Sequence, residues 1–268
     1  MTHPARHNVP SGINEQGFTL VELVVYMTLT VMFTILVFSF MFDFWGSAAT
    51  LENDSETFVT RQDAGDSLRD RLNAAAHLIS QNSIGDAHTL VGDPSDSTGT
   101  YWEVVHAIPG TTPMPSNGSY APVIYYESPS IDSSKNYIMN GSQPYDDEFI
   151  LYLNGTTKQL LLRSLANPTA TGDYLTTSCP AAAASSTCPA DTIIASDITA
   201  VDTRYFSRSG NTIDYTSVTD PTTGLPIGPD FPSVEVVELT LHLGRSSTIN
   251  GGQSTANETI VRVALRNQ

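Results

Sequence analysis

The chain has 268 residues, enough for one large domain or two small ones, and 28 acidic against 12 basic residues give it a net charge of −16. A surface this acidic repels phosphate groups, so direct nucleic-acid binding is not expected. The 40% content of hydrophobic residues excludes wholesale disorder. Two cysteines are too few for a disulfide-dense scaffold or a four-thiolate zinc site.

An uncharged run of 20 residues extends from Leu23 to Phe42. Its length matches the roughly 20 residues that a helix needs to cross the ~30 Å hydrocarbon core of a membrane. The run ends at Asp43, and Trp45 follows at a position suited to an interfacial aromatic side chain. The pattern predicts a transmembrane helix. It disfavours a cleaved secretory signal, whose apolar region has only about 7–15 residues.

Glu22 directly precedes this apolar run. An acidic residue at the centre of a membrane helix costs on the order of 2.5–3.5 kcal/mol, and less near the interface, so it is a candidate functional residue. A cut between Gly17 and Phe18 would place a new α-amino group one helical turn from Glu22. That amine could neutralise the carboxylate of the same or an adjacent subunit. The alternative is an ordinary signal anchor.

A family resemblance lies in the six residues from Gly17 to Glu22, GFTLVE, and in the apolar run behind them. Together they resemble the processing motif of type IV pilins and pseudopilins. In that family a prepilin peptidase cuts after the glycine and methylates the new amino terminus, and the glutamate aligns subunits in the filament. The resemblance implies that Gly17 is the cleavage residue, Phe18 the N-methylated residue and Glu22 the assembly residue.

Two features depart from the family pattern. No lysine or arginine immediately precedes Gly17, and the proline common in the membrane run of major pilins is absent. The resemblance nevertheless implies a structural subunit rather than an enzyme. The hairpin ending in Leu162-Arg163, the segment Asp197–Ser209 with Gly210 and the terminal residues Val261–Asn267 resemble large minor pilins and J-type minor pseudopilins.

Apolar side chains in residues 47–82 have helical rather than alternating spacing, and no proline occurs between Pro10 and Pro94. The apolar stripe is broad only from Gly65 onward, so we expect the far half of the helix to pack on a globular head. A plain coiled-coil seam is the alternative, which polar residues at alternate seam positions weaken. The seven-residue repeat comprises Leu51, Phe58, Gly65, Leu72 and Ile79.

The rest of the chain combines short strand patterns with turn signals. Glu148–Leu153 and Lys158–Ser164 flank Asn154-Gly155, a dipeptide suited to turns that require positive φ. The residues from Val237 to Leu243 alternate apolar and polar, as in a half-buried strand. The fold is therefore predicted to be α+β, with a long N-terminal helix packed on an antiparallel β-rich globular head. Further strand candidates are Tyr101–His106, Pro122–Glu127, Ile198–Ser207, Thr212–Tyr215 and Val261–Leu265.

The expected organisation is a leader peptide (1–17), a transmembrane and filament-core helix (18–43), an amphipathic helix extension (44–83) and an extracytoplasmic head (84–268). The protein would be a single-pass cytoplasmic-membrane protein with its head outside, and part of a pilus or type II secretion pseudopilus after assembly. Expected partners are other pilin or pseudopilin subunits, the prepilin peptidase, the assembly platform and the membrane. The alternative is an uncleaved membrane-anchored module whose head binds a ligand outside any filament.

Cys179 and Cys188 are the two cysteines of the chain. If the head lies outside the cytoplasm, each is the only available partner of the other. Closing so short a loop would stabilise the fold by about 2–3 kcal/mol in the chain-entropy model. We expect a disulfide, and two free thiols in a mobile loop are the alternative.

No cofactor is expected, although calcium is conceivable at Asp93 and Asp96 or around Asp146, Asp147 and Glu148, because hard cations take oxygen ligands. Neither cluster has the spaced acids and central glycine of an EF-hand loop. Turn-forming or solvated acids are the plainer interpretation of both.

Catalytic signatures are also missing from the sequence: there is no nucleophile elbow, no phosphate-binding loop and no zinc-protease spacing of histidines. Serines without a positioned base are not nucleophiles. His242 is expected on the surface of a strand. The histidines beyond the leader are His77, His88, His106 and His242.

Overall fold

The computed structural model describes residues 19–92, 97–103, 110–213, 218–219, 226–227, 234–246 and 254–265. Gly17 and Phe18 lie outside these ranges, and so do Asp93, Asp96 and His106. The chain divides into two compact units, Met1–Ser55 and Glu56–Gln268.

Within the described residues, the chain begins with one long helix and continues mainly as β-strands. The helix α1 spans Leu20–Asn73, and a short 3-10 helix spans Ala181–Ala183. The strands are β1 His77–Ile79, β2 Gly110–Pro113, β3 Tyr120–Pro129, β4 Met139–Asn140, β5 Gln143–Pro144, β6 Asp146–Asn154, β7 Gln159–Leu165, β8 Thr192–Ala195, β9 Ile198–Phe206, β10 Val218–Thr219, β11 Pro226–Ile227, β12 Val236–Ser246 and β13 Ser254–Ala264.

The end of α1 corrects the predicted extension of the helix to residue 83. The helix ends at Asn73, and its last turn closes with two i→i+3 hydrogen bonds. The Ala76 N–H then donates to the Glu127 carbonyl at 2.8 Å, and the chain continues as β1 beside β3. Ile79, which the seven-residue repeat assigned to the helix, therefore lies in a strand. Pairing with the sheet overrides the local helical pattern.

The strands form two main antiparallel sheets. The five-stranded sheet has the order β1-β3-β6-β7-β8, and the four-stranded sheet has the order β13-β12-β9-β2. Two smaller sheets pair β4 with β5 and β10 with β11. An N-terminal helix followed by antiparallel sheets confirms the α+β class in the part of the chain that the structure describes.

Side chains of both main sheets share one buried apolar cluster with the last turns of α1. Ala64, Leu68 and Leu72 of α1 belong to this cluster. Gly65 faces β13: a Cβ atom on it would lie 3.5 Å from Cγ2 of Thr259 and 3.7 Å from Cγ2 of Val261.

The β6–β7 hairpin forms at the predicted place with a different turn. Strand β7 begins at Gln159 rather than Lys158, and the residue with positive φ is Lys158 (φ 56°), not Gly155. The Asn154 Oδ1 atom accepts a hydrogen bond from the Thr156 N–H at 2.9 Å and so shapes the turn. Gly155 is needed because a Cβ atom there would overlap the backbone carbonyl oxygen of Ser116.

The other strand predictions have mixed outcomes. The predicted strands that fall on β3, β9, β12 and β13 are confirmed. Trp102 forms only an isolated bridge with Gly92, and residues 104–109 lie outside the described ranges. Thr212 forms an isolated bridge with Phe206, and the end of the predicted strand Thr212–Tyr215 also lies outside them.

Candidate functional site

Thr19 and Glu22 form a reciprocal cap at the beginning of α1. The Glu22 Oε2 atom accepts hydrogen bonds from the Thr19 N–H at 3.3 Å and from its hydroxyl at 3.2 Å. The Thr19 hydroxyl in turn accepts from the Glu22 N–H at 3.3 Å. This arrangement is a capping box, which satisfies donors that every helix start leaves open. The sequence analysis missed it, although a threonine three residues before a glutamate is its signature.

The capping box gives Glu22 a structural role within a single chain. Its carboxylate stabilises the helix start whether or not a second subunit is present. Gly17 and Phe18, the predicted cleavage and methylation residues, lie outside the described residues. The predicted roles of Gly17, Phe18 and Glu22 in processing and assembly stay predictions.

The first half of α1 exposes apolar side chains along a candidate membrane span. Leu20–Ala48, 29 residues long, is apolar and long enough to cross a membrane, and no part of its most apolar stretch is buried. Phe33 and Phe40 are among its most exposed side chains. A continuous exposed apolar surface of this kind marks a contact with lipid or with other proteins. The span thus has the length and composition that the sequence predicted for a transmembrane helix.

Three threonine hydroxyl groups within the span donate to carbonyl groups of the helix itself. Thr28, Thr30 and Thr34 each donate to a backbone carbonyl three or four residues earlier, at 2.7–3.0 Å. Polar groups that find partners inside their own helix do not need water. These threonines are therefore compatible with a hydrocarbon environment.

Cys179 and Cys188 form a disulfide with their Cα atoms 5.6 Å apart. The predicted pairing is confirmed. The bond closes a loop that contains the 3-10 helix Ala181–Ala183.

A buried ionic network lies beside this disulfide. Arg163 on β7 donates from Nε and Nη2 to the two carboxylate oxygens of Asp191, at 2.6 and 2.9 Å, and from Nη1 to Asp86 at 2.6 Å. The side chains of Arg163 and Asp86 are 0% exposed. Although burial alone lowers the pKa of Arg163, hydrogen bonds and charge from Asp191 raise it overall. The guanidinium therefore stays charged in the core.

Two aromatic side chains complete the network. The indole N–H of Trp102 donates to Asp86 at 2.7 Å, and the Tyr152 hydroxyl donates to Asp191 at 2.6 Å. Burial and the neighbouring Asp191 carboxylate raise the pKa of Tyr152, so its hydroxyl remains a donor. The sequence analysis did not identify this network. The signal in the sequence was Arg163, a charged residue directly after Leu160–Leu162 in a strand that otherwise looks buried.

The network also anchors the segments around the disulfide. The Asp191 N–H donates to the Cys179 carbonyl at 2.9 Å, and the Ser178 hydroxyl donates to an Asp191 carboxylate oxygen at 2.6 Å. The His88 carbonyl accepts a hydrogen bond from Arg163 at 3.2 Å. A ring nitrogen of His88 and the two cysteine sulfurs lie within 4.8 Å of one another.

The acidic residues 146–148 do not converge on one point. Glu148 accepts hydrogen bonds from the backbone N–H of Ser83 at 2.9 Å and of Ile84 at 3.0 Å, whereas Asp147 accepts from the Ser130 hydroxyl at 2.7 Å. Neighbouring residues of a strand point to opposite faces, which separates Asp147 from Asp146 and Glu148. Among the described residues, Asp146, Asp147 and Glu148 do not form a group with ligand atoms within 4.8 Å of one another. Calcium binding by these residues stays a prediction.

His242 on β12 is half-buried between two carboxylates, rather than simply on the surface as predicted. Its Nε2 atom lies 2.9 Å from an Asp202 carboxylate oxygen, and its Nδ1 atom lies 3.4 Å from a Glu258 carboxylate oxygen. The two carboxylates approach opposite ring nitrogens, so they do not form a shared ligand set. The arrangement instead links side chains of the neighbouring strands β9, β12 and β13.

No protein-family model matches the chain, and no curated protein is similar to it in sequence. The interpretation of the amino-terminal segment therefore depends on its own residues: the GFTLVE motif, the capping box and the exposed apolar span.

Proposed function

We propose that this chain is a structural minor subunit of a type IV pilus or a type II secretion pseudopilus, cut after Gly17, N-methylated at Phe18 and assembled through its N-terminal helix. The observation that supports the proposal most directly is the exposed apolar half of α1, which begins at the Thr19–Glu22 cap inside the processing motif. An exposed helix of this composition needs lipid or other apolar helices around it.

The apolar helix offers a physical route for assembly. Before assembly, the side chains of Leu20–Ala48 would face the lipid of the cytoplasmic membrane. In a filament they would face the equivalent helices of other subunits. Because this surface stays away from water in both states, transfer from the membrane to the filament avoids the hydrophobic cost of exposure.

Glu22 would have two successive roles in this mechanism. In the free subunit its carboxylate caps α1 through Thr19, as the present contacts support. In the filament the carboxylate would pair with the terminal amine of a neighbouring Phe18, because a charge surrounded by apolar helices needs a partner of opposite sign. That pair would fix the register between subunits.

The head would supply lateral contacts or a tip surface. Beyond Phe42 the chain has 26 acidic and 11 basic residues, so contacts with basic surfaces are favoured over contacts with phosphates. The far half of α1 would pack on this head, as the buried positions of Ala64, Leu68 and Leu72 support.

Two variants separate the capping role of Glu22 from its assembly role. Glu22→Gln keeps a side chain that can serve a capping box but removes the charge, whereas Thr19→Ala removes the capping hydroxyl and keeps the charge. We expect Glu22→Gln to block incorporation into sheared filaments without reducing the amount in the membrane fraction. The Thr19→Ala variant should be incorporated into filaments at close to the wild-type level. If Thr19→Ala blocked incorporation and Glu22→Gln did not, Glu22 would act only in helix capping.

Processing is tested by mass spectrometry of the chain from cells that contain the prepilin peptidase. The proposal requires a mature chain that begins with N-methylated Phe18. A chain that retains residues 1–17 and never copurifies with filament subunits would refute it, and would support the membrane-anchored binding module instead.

A further inference from the structure

His88, Cys179 and Cys188 bring three metal-binding atoms together on two segments that are far apart in the sequence. A ring nitrogen of His88 and the two sulfurs lie within 4.8 Å of one another. In the present state the sulfurs are joined as a disulfide and cannot act as thiolate ligands. The cluster therefore has two chemical states with different binding properties.

We propose that reduction of the Cys179–Cys188 disulfide creates a binding site for a thiophilic metal ion, with Zn²⁺ as the reference ion, in which His88 is the third protein ligand. A dithiol reductant would give two electrons and two protons to the disulfide, which becomes two thiols, and would itself become a disulfide. Each thiol then releases its proton when its sulfur binds the ion. The inference does not depend on the proposed filament function.

The distances suit a tetrahedral ion. Zinc binds sulfur at about 2.3 Å and nitrogen at about 2.0–2.1 Å, which places the ligand atoms of one site roughly 3.5–3.8 Å apart. The sulfurs must move apart by about 1.7 Å from their bonded distance of ~2.05 Å, and the imidazole must move by a similar or smaller amount. The 5.6 Å between the two Cα atoms lets side-chain rotation make most of this change.

The ligand types select the class of ion. Two thiolates and one imidazole are soft or borderline donors, which favour Zn²⁺ or Cu⁺ over Mg²⁺ and Ca²⁺. Three protein ligands leave a fourth position for water. Cys179 is 0% exposed, whereas His88 is exposed and Cys188 is partly exposed, so the ion would enter from the side of His88 and Cys188.

Backbone contacts would hold the ligands in place after reduction. The Cys179 carbonyl accepts from the Asp191 N–H at 2.9 Å, and the Cys179 N–H donates to the Pro189 carbonyl at 2.8 Å. The His88 carbonyl accepts from Arg163 at 3.2 Å. Because Arg163 is itself paired with Asp191, the same buried network positions both ligand segments. None of these contacts requires the sulfur–sulfur bond.

Metal titration of the full chain in detergent tests the proposal. The oxidised protein is compared with protein that has been reduced by a dithiol and freed of the reductant without oxygen. Both are titrated with Co²⁺, whose absorption spectrum reports thiolate ligation, and then with Zn²⁺. We expect the reduced wild type to bind one equivalent of Co²⁺ and to show a sulfur-to-cobalt charge-transfer band. The oxidised protein should not show this band. His88→Ala should weaken binding by about tenfold or more, whereas His242→Ala should not change it.

A folding control accompanies the titration. The near-ultraviolet circular dichroism of buried Trp102 reports whether the reduced head keeps its packing. The proposal is overturned if the reduced wild type binds no more Co²⁺ than the oxidised protein, or if His88→Ala binds as tightly as wild type. It is equally overturned if reduction abolishes the Trp102 signal, because the site requires the folded segments.

Discussion

The Nη1 atom of Arg163 lies 2.6 Å from a carboxylate oxygen of Asp86, although the two residues are 77 positions apart in the chain. Asp191 holds the other side of the guanidinium through two further hydrogen bonds. All three side chains are almost completely buried. Loss of the Arg163 charge would leave two carboxylates in the core without a counter-charge. The resulting loss of stability is much larger than the net stability that the intact ionic network contributes.

Replacing Arg163 is therefore expected to destabilise the head strongly. Arg163→Met should lower the free energy of unfolding by roughly 3–5 kcal/mol, and Arg163→Lys should also be destabilising because an ammonium group cannot form the two-pronged contact with Asp191. Urea unfolding of the detergent-solubilised chain measures both. Arg204→Met is the control, since Arg204 is mostly exposed and 3.7 Å from Glu238, so about 0–1 kcal/mol is expected. Equal losses for Arg163→Met and Arg204→Met would contradict the prediction.

The contrast between local and long-range features explains what the sequence could predict. The apolar span, the β6–β7 hairpin and the alternation of β12 depend on neighbouring residues, and their patterns are visible in the chain. The helix ends at Asn73, ten residues before the predicted end at residue 83, because the following segment pairs with β3. The Arg163 network joins two loops to a strand that looks apolar, so no local pattern identifies the partners of the arginine.

The site divides in the same manner. The disulfide was predictable because the chain has only two cysteines. The capping box has a local signature, since both its residues lie within the GFTLVE motif, but Glu22 was interpreted through its charge beside the apolar run and not through helix capping. The approach of His88 to the disulfide could not be predicted, since it joins segments that are far apart in the chain, and the His88 carbonyl accepts a hydrogen bond from Arg163, 75 positions away.

Trp102 contributes a directional hydrogen bond as well as apolar area. Its indole N–H donates to Asp86 at 2.7 Å, and the ring lies 5.5 Å from the guanidinium carbon of Arg163. Trp102→Phe keeps an aromatic ring but removes the donor and leaves unfilled volume, so we expect a loss of about 2–4 kcal/mol in unfolding free energy. The same urea experiment measures it. A loss below that of Arg204→Met would mean that Asp86 does not need this donor.

Two glycine substitutions should act in opposite directions. A Cβ atom on Gly65 would make ordinary contacts with Thr259 and Val261, and alanine favours the helix, so Gly65→Ala should stabilise the protein by about 0.5–1 kcal/mol. Gly155→Ala would overlap the Ser116 carbonyl oxygen and should be destabilising by about 1–3 kcal/mol. Thermal unfolding of both variants compares their signs directly. Destabilisation by Gly65→Ala would show that the space between α1 and β13 is too small for the added methyl group.

His77 should make the stability depend on pH near neutrality. A hydrogen bond from the imidazole to Glu127 raises the pKa of His77, against the opposing effect of burial. Because the folded state then binds its proton more tightly than the unfolded state, the contribution is complete below about pH 6.5 and is lost as the pH rises through the raised pKa. Thermal unfolding from pH 6 to 8 measures it. In His77→Gln this part of the pH dependence should be absent.

Asp147 should produce a second dependence at lower pH. Burial raises the pKa of Asp147 to about 6, and the neighbouring Asp173 raises it as well, against hydrogen bonds from Asn167 and Ser130. A proton on the pair supplies a hydrogen bond that two ionised carboxylates cannot form. The folded state therefore binds more protons than the unfolded state between the unperturbed value of 3.8 and about 6.

The sign of the Asp147 effect follows from this difference in bound protons. Stability should fall as the pH rises through the interval from 3.8 to about 6, with a slope of at most about 1.4 kcal/mol per pH unit for one proton. Asp147→Asn keeps an oxygen that can accept from Ser130 and should flatten the profile in that interval. Asp173→Asn serves as the second variant and should reduce the slope only in part, because it removes the charge beside Asp147 but leaves the larger effect of burial. A profile in which both variants keep the wild-type slope would show that other carboxyl groups bind the proton.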